Sequence, residues 1–251
     1  MNVRVVPLLL LAAGAALPYA PLADVNAAAP DLPASLSRLL GTDHLGRDVF
    51  RRVLAGARAF LIPGVGAAVI AGGLGVGLGA LAGWFGGLVE GVVTGCMGAL
   101  RAVPPLVLAL LVMMATGAGP AGLALGAGLA ALPAFTEGVA DRLGALRRAE
   151  FVVAARAHGI SDARILVWHL LWVNTRALVL REALATVGQV LVLEVTLSYL
   201  GHFGVQEPTP SWGNMIDHAL RTGCANPLAW VAPVAAVLVT LSATVPGGVR
   251  R

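Results

Sequence analysis

The sequence predicts an all-α, polytopic membrane protein of about six transmembrane helices with a cytoplasmic elbow. Three observations lead there. Of 251 residues, 58% are hydrophobic and only 12% are charged, where a soluble domain carries roughly 25% charged residues. Charge-free runs long enough to cross a bilayer recur along the chain, with polar segments between them. Finally, all 17 basic residues are arginine. Without lysine there is no Walker-type phosphate loop and no Schiff-base chemistry, so any ATP driving this protein is hydrolysed on another chain.

The composition excludes other classes as well. The 32 glycines and 15 prolines follow no period, and the apolar bulk excludes collagen or a disordered tail. Cys96 and Cys224 stand too far apart in sequence for a paired-cysteine metal motif or a disulfide framework. The net charge is +4, but the arginines flank apolar runs and form no basic stripe interleaved with aromatics, which speaks against nucleic acid.

A spanning helix needs about 20 mostly apolar residues. Ala59 to about Phe85 satisfies this without a charge. Between Arg101 and Glu137 lie 35 uncharged residues, too many for one crossing. Gly117-Ala118-Gly119-Pro120 turns them into a hairpin of spans at 92–115 and 120–138, with Arg101 near an end where it can snorkel. Further spans are expected at Val5–Pro21, Leu178–Tyr199 and Leu228–Val245. The first also resembles a secretory signal, but Pro30 after Ala27-Ala28-Ala29 disfavours cleavage, so a retained span is expected.

The organisation follows as a first helix at 1–22, an outer segment with an interfacial helix at 23–58, a membrane core at 59–245 and a tail at 246–251. The core carries an elbow at 139–177 and an outer loop at 202–225. Ten arginines (Arg4, Arg101, Arg142, Arg147, Arg148, Arg156, Arg164, Arg176, Arg250, Arg251) fall on the side of both termini, and six (Arg38, Arg47, Arg51, Arg52, Arg58, Arg221) on the other. The positive-inside rule then places both ends in the cytoplasm.

Within the elbow, Glu150 opens a helix that Gly159 can end in the left-handed conformation, and Ser161 or Asp162 can cap the next one. Ala154 and Ala155 leave a flat patch for a partner backbone, while Glu150, Arg156 and Arg164 offer charge. In the outer segment, Asp48 can start a helix whose Val49, Phe50, Val53, Leu54 and Ala57 form an apolar stripe, leaving Arg51, Arg52 and Arg58 wet. It serves as an interfacial helix or as a plain connector. In the outer loop, Pro208 and Pro210 stiffen the chain, and Trp212 can anchor it at headgroup level.

Two features lie inside the spans. Gly75, Gly79 and Gly83 make a small-residue stripe for close packing, against a neighbouring span or a second subunit. Glu194 sits among apolar residues of the fifth span. It faces either a substrate path, where it would favour a cationic group, or a partner buried between helices. His202, Asp217, His218 and Cys224 fall on the outer side, but their spacing matches no metal motif. No nucleophile, base and orienting group occur together, so no enzyme is expected.

The Glu150, Ala154-Ala155, Gly159 pattern with His169-Leu170 resembles the coupling-helix loop of permease subunits of ABC importers. Two further stretches narrow the resemblance to the dipeptide, oligopeptide and nickel branch, in its second type of permease: Gly41-Thr42-Asp43-His44-Leu45-Gly46-Arg47-Asp48-Val49, and Ser198-Tyr199-Leu200-Gly201 with Pro208-Thr209-Pro210-Ser211-Trp212-Gly213-Asn214-Met215. Together they cover about residues 38–245. The chain departs at Trp168 and Trp172, at the extra residue around His202-Phe203, and in its tail.

The resemblance implies a permease of the bacterial inner membrane that moves short peptides or a nickel chelate. It implies a heterodimer with a homologous permease, two ATPase subunits that hold ATP and Mg, and an extracytoplasmic binding protein, with no cofactor on this chain. Glu150, Ala154, Ala155, Gly159, Asp162 and Arg164 would couple to the ATPase. Asp43, Gly46, Arg47, Asp48, Pro208, Pro210, Trp212 and Gly213 would serve the outer gate or the binding protein. The alternative from another class is a proton-driven carrier in which Glu194 and Glu90 titrate.

Overall fold

The computed structural model describes residues 14, 16, 18–20, 24–201 and 203–244. Nine helices are described: α1 (Val49–Gly56), α2 (Arg58–Phe85), α3 (Gly87–Arg101), α4 (Pro105–Thr116), α5 (Pro120–Leu146), α6 (Glu150–Ala157), α7 (Arg176–Tyr199), α8 (Trp212–Thr222) and α9 (Leu228–Thr244). A single turn at Asp162–Arg164 and a π-helical stretch at Ile165–Thr175 lead into α7. Helices stand where five of the six crossings are expected: α2, the α3–α4 pair, α5, α7 and α9. Nearly all of the first span, His202 and the tail lie outside the described residues.

By length and composition, the continuous stretch Val49–Phe85 and α5 each suffice to cross a membrane, and α9 is a shorter apolar helix. The span expected at 92–115 is not one helix. It breaks between Arg101 and Pro105, and its halves are bent by 87°. The cause is covalent: Pro104 and Pro105 have no N–H, so the carbonyls of Leu100 and Arg101 lose their helical donors. The Arg101 guanidinium pairs with Glu137 of α5.

The core is organised around α2 and α5. Their axes approach closely because a Cβ at Gly75 would lie 2.6 Å from the Phe135 Cβ, one at Gly79 2.5 Å from the Thr136 carbonyl oxygen, and one at Gly83 2.6 Å from the Ala140 carbonyl oxygen. The glycine stripe is therefore filled within the chain. In lipid this matters because helix association rests on van der Waals packing, not on the hydrophobic effect. Ala67, Ala109, Met113, Leu123, Val190 and Leu193 join α4 and α7 to this pair in a second cluster.

α1 begins as expected, with the Asp48 carboxylate accepting from the Arg51 N–H at 3.1 Å. Its apolar stripe meets protein instead of lipid: Val49, Val53 and Ala57 pack with Trp212, Met215, Ala219 and Ala229. Two further expectations change with that contact. Arg52 is buried, not wet, whereas Arg51 stays exposed. Trp212 is no headgroup anchor; it is buried against Phe60 at 5.0 Å between ring centroids, and its indole N–H donates to the Val53 carbonyl at 2.8 Å.

Candidate functional site

The elbow at 139–177 is built as a braced bracket. α6 ends at Ala157, and Gly159 takes φ +78°, which a side chain would strain. Ser161 then holds the extended conformation of an N-cap, although its side chain makes no capping bond. Across the bend, Arg156 donates to Asp162 at 2.7 Å and lies 5.2 Å over the Trp84 ring at the end of α2. Arg156 and Asp162 thus brace the elbow itself.

One residue anchors α6 from below. Val152 is fully buried with Ala80, Val139, Leu143, Ile165 and Leu170, a cluster joining α2, α5, α6 and the π-helical stretch. The opposite face is open: Glu150, Phe151, Val153, Ala154, Ala157, His158 and Gly159 are exposed, with Ala155 half-buried. The exposed face is thus mounted through the Val152 cluster on α2, α5 and the π-helical stretch. Asp162 and Arg164 are exposed beside it. Trp168 and Trp172, where the chain departs from the family pattern, stack at 6.4 Å and remain exposed.

On the other side of the molecule, the two outer motifs form one clasp. The Asp43 carboxylate accepts from the backbone N–H of Leu45 and Arg47, and Gly46 turns the chain at φ +71°. Arg47 is only 2% exposed and donates to Asp43 at 2.8 Å and to Glu207 at 2.7 Å. Arg52, 1% exposed, donates to Glu207 at 2.7 Å and lies 3.6 Å from Asp43. Two arginines and two carboxylates thus tie the start of α1 to the outer loop. Burial is the largest single influence on Arg47 and lowers its pKa, but the contacts with Glu207 and Asp43 together outweigh it, so the net shift is upward.

The rest of the loop is fixed by its own bonds. Ser211 and Asn214 form a reciprocal capping box at the start of α8. The Asn214 amide also donates to the carbonyls of Val205 and Thr209. Pro210 is buried and Pro208 exposed. At Gly213, α8 meets α7 so closely that a Cβ would lie 2.8 Å from the Ser198 Cβ. Asn226 closes the far side by donating to the carbonyls of Leu40 and Thr42.

Glu194 lies beneath this cap. Its carboxyl is 1% exposed and accepts from the Ser198 hydroxyl at 2.5 Å. Ser198 in turn accepts from the Val205 N–H at 2.8 Å, so Glu194 is linked through one hydroxyl to the outer loop.

The structure does not assemble the outer His, Asp and Cys residues. His218 sits edge-on to His44 at 4.2 Å between centroids, Asp217 binds Arg221 at 2.5 Å, and the Cys224 thiol donates to Asp31 at 2.7 Å. Burial pushes the Cys224 thiol up to about 11. Among the described residues no group of three or more such side chains is placed to hold a metal ion.

Sequence reasoning missed Arg52, Glu207, Asn226 and Val152. Glu207 carried the clearest signal, as an acid beside the Pro208 motif on a side of the molecule holding six arginines.

A body of long apolar helices, with a braced bracket at one part and a clasped cap at another, is that of an integral-membrane protein. The chain belongs to the binding-protein-dependent transport system inner membrane component family, whose pattern matches residues 75–247. It is 34% identical over 209 residues to a glutathione transport system permease protein, GsiD, of Shigella dysenteriae, covering 83% of this chain and 68% of that one. The GsiD protein of Pectobacterium atrosepticum is 30% identical over 83% of this chain and 69% of its own. A probable D,D-dipeptide transport system permease protein, DdpC, of Escherichia coli is 29% identical over 83% and 70%. The protein is thus a multi-pass membrane permease and not an enzyme, and the proton-driven alternative gains no support.

Proposed function

We propose that this chain is one of two homologous permease subunits of an ATP-driven importer of short peptides. A binding protein outside the membrane delivers the peptide, and two separate ATPase subunits, holding ATP and Mg, drive the cycle. Both termini face the cytoplasm, so the elbow meets the ATPases and the clasp meets the binding protein.

The observation that carries this reading is the bracket: an exposed face running from Glu150 to Gly159, mounted on the fully buried Val152. An ATPase that moves on binding nucleotide can bias the permease only through contacts that differ between two states. The rigid bend at Gly159 and the Arg156–Asp162 brace keep α6 from absorbing the motion. Ala154 leaves room for a close partner backbone, and Glu150 supplies charge at the rim of the contact. At the outer face, Asp43, Gly46, Arg47, Asp48, Pro208, Pro210, Trp212 and Gly213 hold one stiff cap on which a binding protein can act. Glu194 connects that cap to α7, the helix that the π-helical stretch joins to the elbow. The peptide substrate rests on the relatives named for glutathione and dipeptide transport.

The test replaces Gly159 with Trp and, separately, Glu150 with Lys. Both variants should insert in the membrane and lose ATP-dependent peptide uptake. Full uptake by both would overturn the coupling assignment.

A further inference from the structure

The break between α3 and α4 carries one feature that the coupling reading leaves unused. At 100° per residue, Gly87, Glu90, Gly91, Thr94, Gly98 and Arg101 fall on one face of α3, and all six are exposed. A Cβ built on any of the four glycines on or beside this face, Gly87, Gly91, Gly95 and Gly98, would meet no atom within 4 Å. The opposite face holds Leu88, Val92 and Cys96, also exposed. One helix therefore presents an apolar side suited to lipid and a small, polar side that is not.

That polar side ends at an ion pair in an unusual place. Glu137 lies about 26 Å along α5 from the end expected outside and about 14 Å from the other, two residues before the elbow at 139–177, so the Arg101–Glu137 contact falls at the inner mouth of the membrane body. The pair is open, with Arg101 59% and Glu137 26% exposed. Beside it the backbone leaves the helix at Ala102–Pro104, where Ala102 and Pro104 are exposed and the Arg101 carbonyl has no helical donor. An open ion pair beside non-helical backbone suits a position that borders water, as the inner mouth of a path does.

We propose that the polar face of α3 lines the inner part of the translocation path, and that the Arg101–Glu137 pair opens to receive the carboxylate and ammonium groups of a zwitterionic substrate. The inference rests on the importer reading above and adds a place in the path and a charge requirement. Arg101 takes the carboxylate with its planar guanidinium, Glu137 takes the ammonium, and the pair re-forms once the substrate leaves.

The experiment uses everted membrane vesicles carrying the complete transporter, with Thr94→Cys in a chain that also bears Cys96→Ala and Cys224→Ser. A charged, membrane-impermeant methanethiosulfonate is added, and the mass of this chain is read. Labelling is expected in the nucleotide-free state and should be about tenfold slower in the vanadate-trapped state. An unlabelled cysteine, or equal labelling in both states as on a helix lying flat at the interface, would overturn the path assignment. Millimolar glycylglycine should slow labelling, whereas its N-acetylated, C-amidated counterpart should not, and Glu137→Gln should abolish the protection. If Glu137→Gln fails to accumulate, Arg101→Gln serves instead. Equal protection by both peptides, or by neither, would overturn the charge requirement. The labelling arm needs no peptide, so a failure of peptide uptake with state-dependent labelling intact would count against the proposed substrate and not against the path.

Discussion

Replacing Glu207 with Gln should loosen the outer cap by an amount that the structure bounds. The Glu207 carboxylate sits 2.7 Å from Arg47 and 2.7 Å from Arg52. At an effective dielectric of about 20, each contact is worth on the order of 6 kcal/mol of gross attraction. Desolvation of the two buried guanidinium groups offsets most of it. Glu207 is itself 29% exposed, so water takes up a further part when it is removed. Arg47 keeps Asp43 at 2.8 Å, but Arg52 is left with Asp43 at 3.6 Å. A net loss of about 2–3 kcal/mol follows, below the range of about 3–5 for breaking a fully buried pair. For a chain of this size it should lower the unfolding midpoint by about 4–12 °C.

The assay is thermal unfolding of the assembled transporter in nanodiscs for wild type, Glu207→Gln, Arg52→Met and the double variant. Because Arg52 and Glu207 act as a unit, the double variant should cost at least about 1.5 kcal/mol less than the sum of the singles. A midpoint unchanged within about 1 °C for Glu207→Gln, or strictly additive singles, would refute the clasp.

Further outcomes follow from other contacts. Trp212→Ala removes a buried ring and its hydrogen bond to the Val53 carbonyl, and should cost about 3–5 kcal/mol in the same assay; Trp212→Phe, which keeps a ring but loses the hydrogen bond and part of the buried indole, should cost less, about 2 kcal/mol. Gly79→Leu drives a side chain into the α5 backbone and should abolish accumulation of folded protein in membranes, while Gly95→Leu, which points into open space, should not. The His44 pKa is held below its ordinary value by burial and by His218, with Arg47 lowering it further and Asp43 and Asp31 opposing. The stability His44 contributes is therefore present above about pH 6.5 and lost as pH falls through the lower folded value. His44→Gln should remove that part of the acid sensitivity, read as the unfolding midpoint across pH.

Much of the membrane body is legible in the sequence, because spans announce themselves by the absence of charge. The stretch 59–85 and the turn at 117–120 emerge directly, and so does the elbow bend at Gly159, since a left-handed residue between two helical runs calls for glycine. What escapes is whatever depends on partners distant in sequence. Arg52 reads as a wet residue on an amphipathic helix until Glu207, 155 positions away, neutralises it. Trp212 reads as a headgroup anchor because its partner carbonyl, on Val53, lies in another segment. The double proline at 104–105 lies inside the stretch 92–115, where counting charges alone gives one uninterrupted span. Val152 carries no local mark, since an apolar residue on a short helix becomes a lever only when the cluster beneath it is known.

The measurement that bears most directly on the central claim is cross-linking at the elbow. Ala154→Cys, on the exposed face of α6, is placed in the complete transporter and treated with a short bifunctional thiol reagent in native membranes. A product with the combined mass of this chain and one ATPase subunit is predicted, and it should disappear when Gly159→Trp is added. Efficient ATP-driven uptake with no adduct at Ala154→Cys, Val153→Cys or Phe151→Cys would contradict the claim that this helix is where the motor grips the permease.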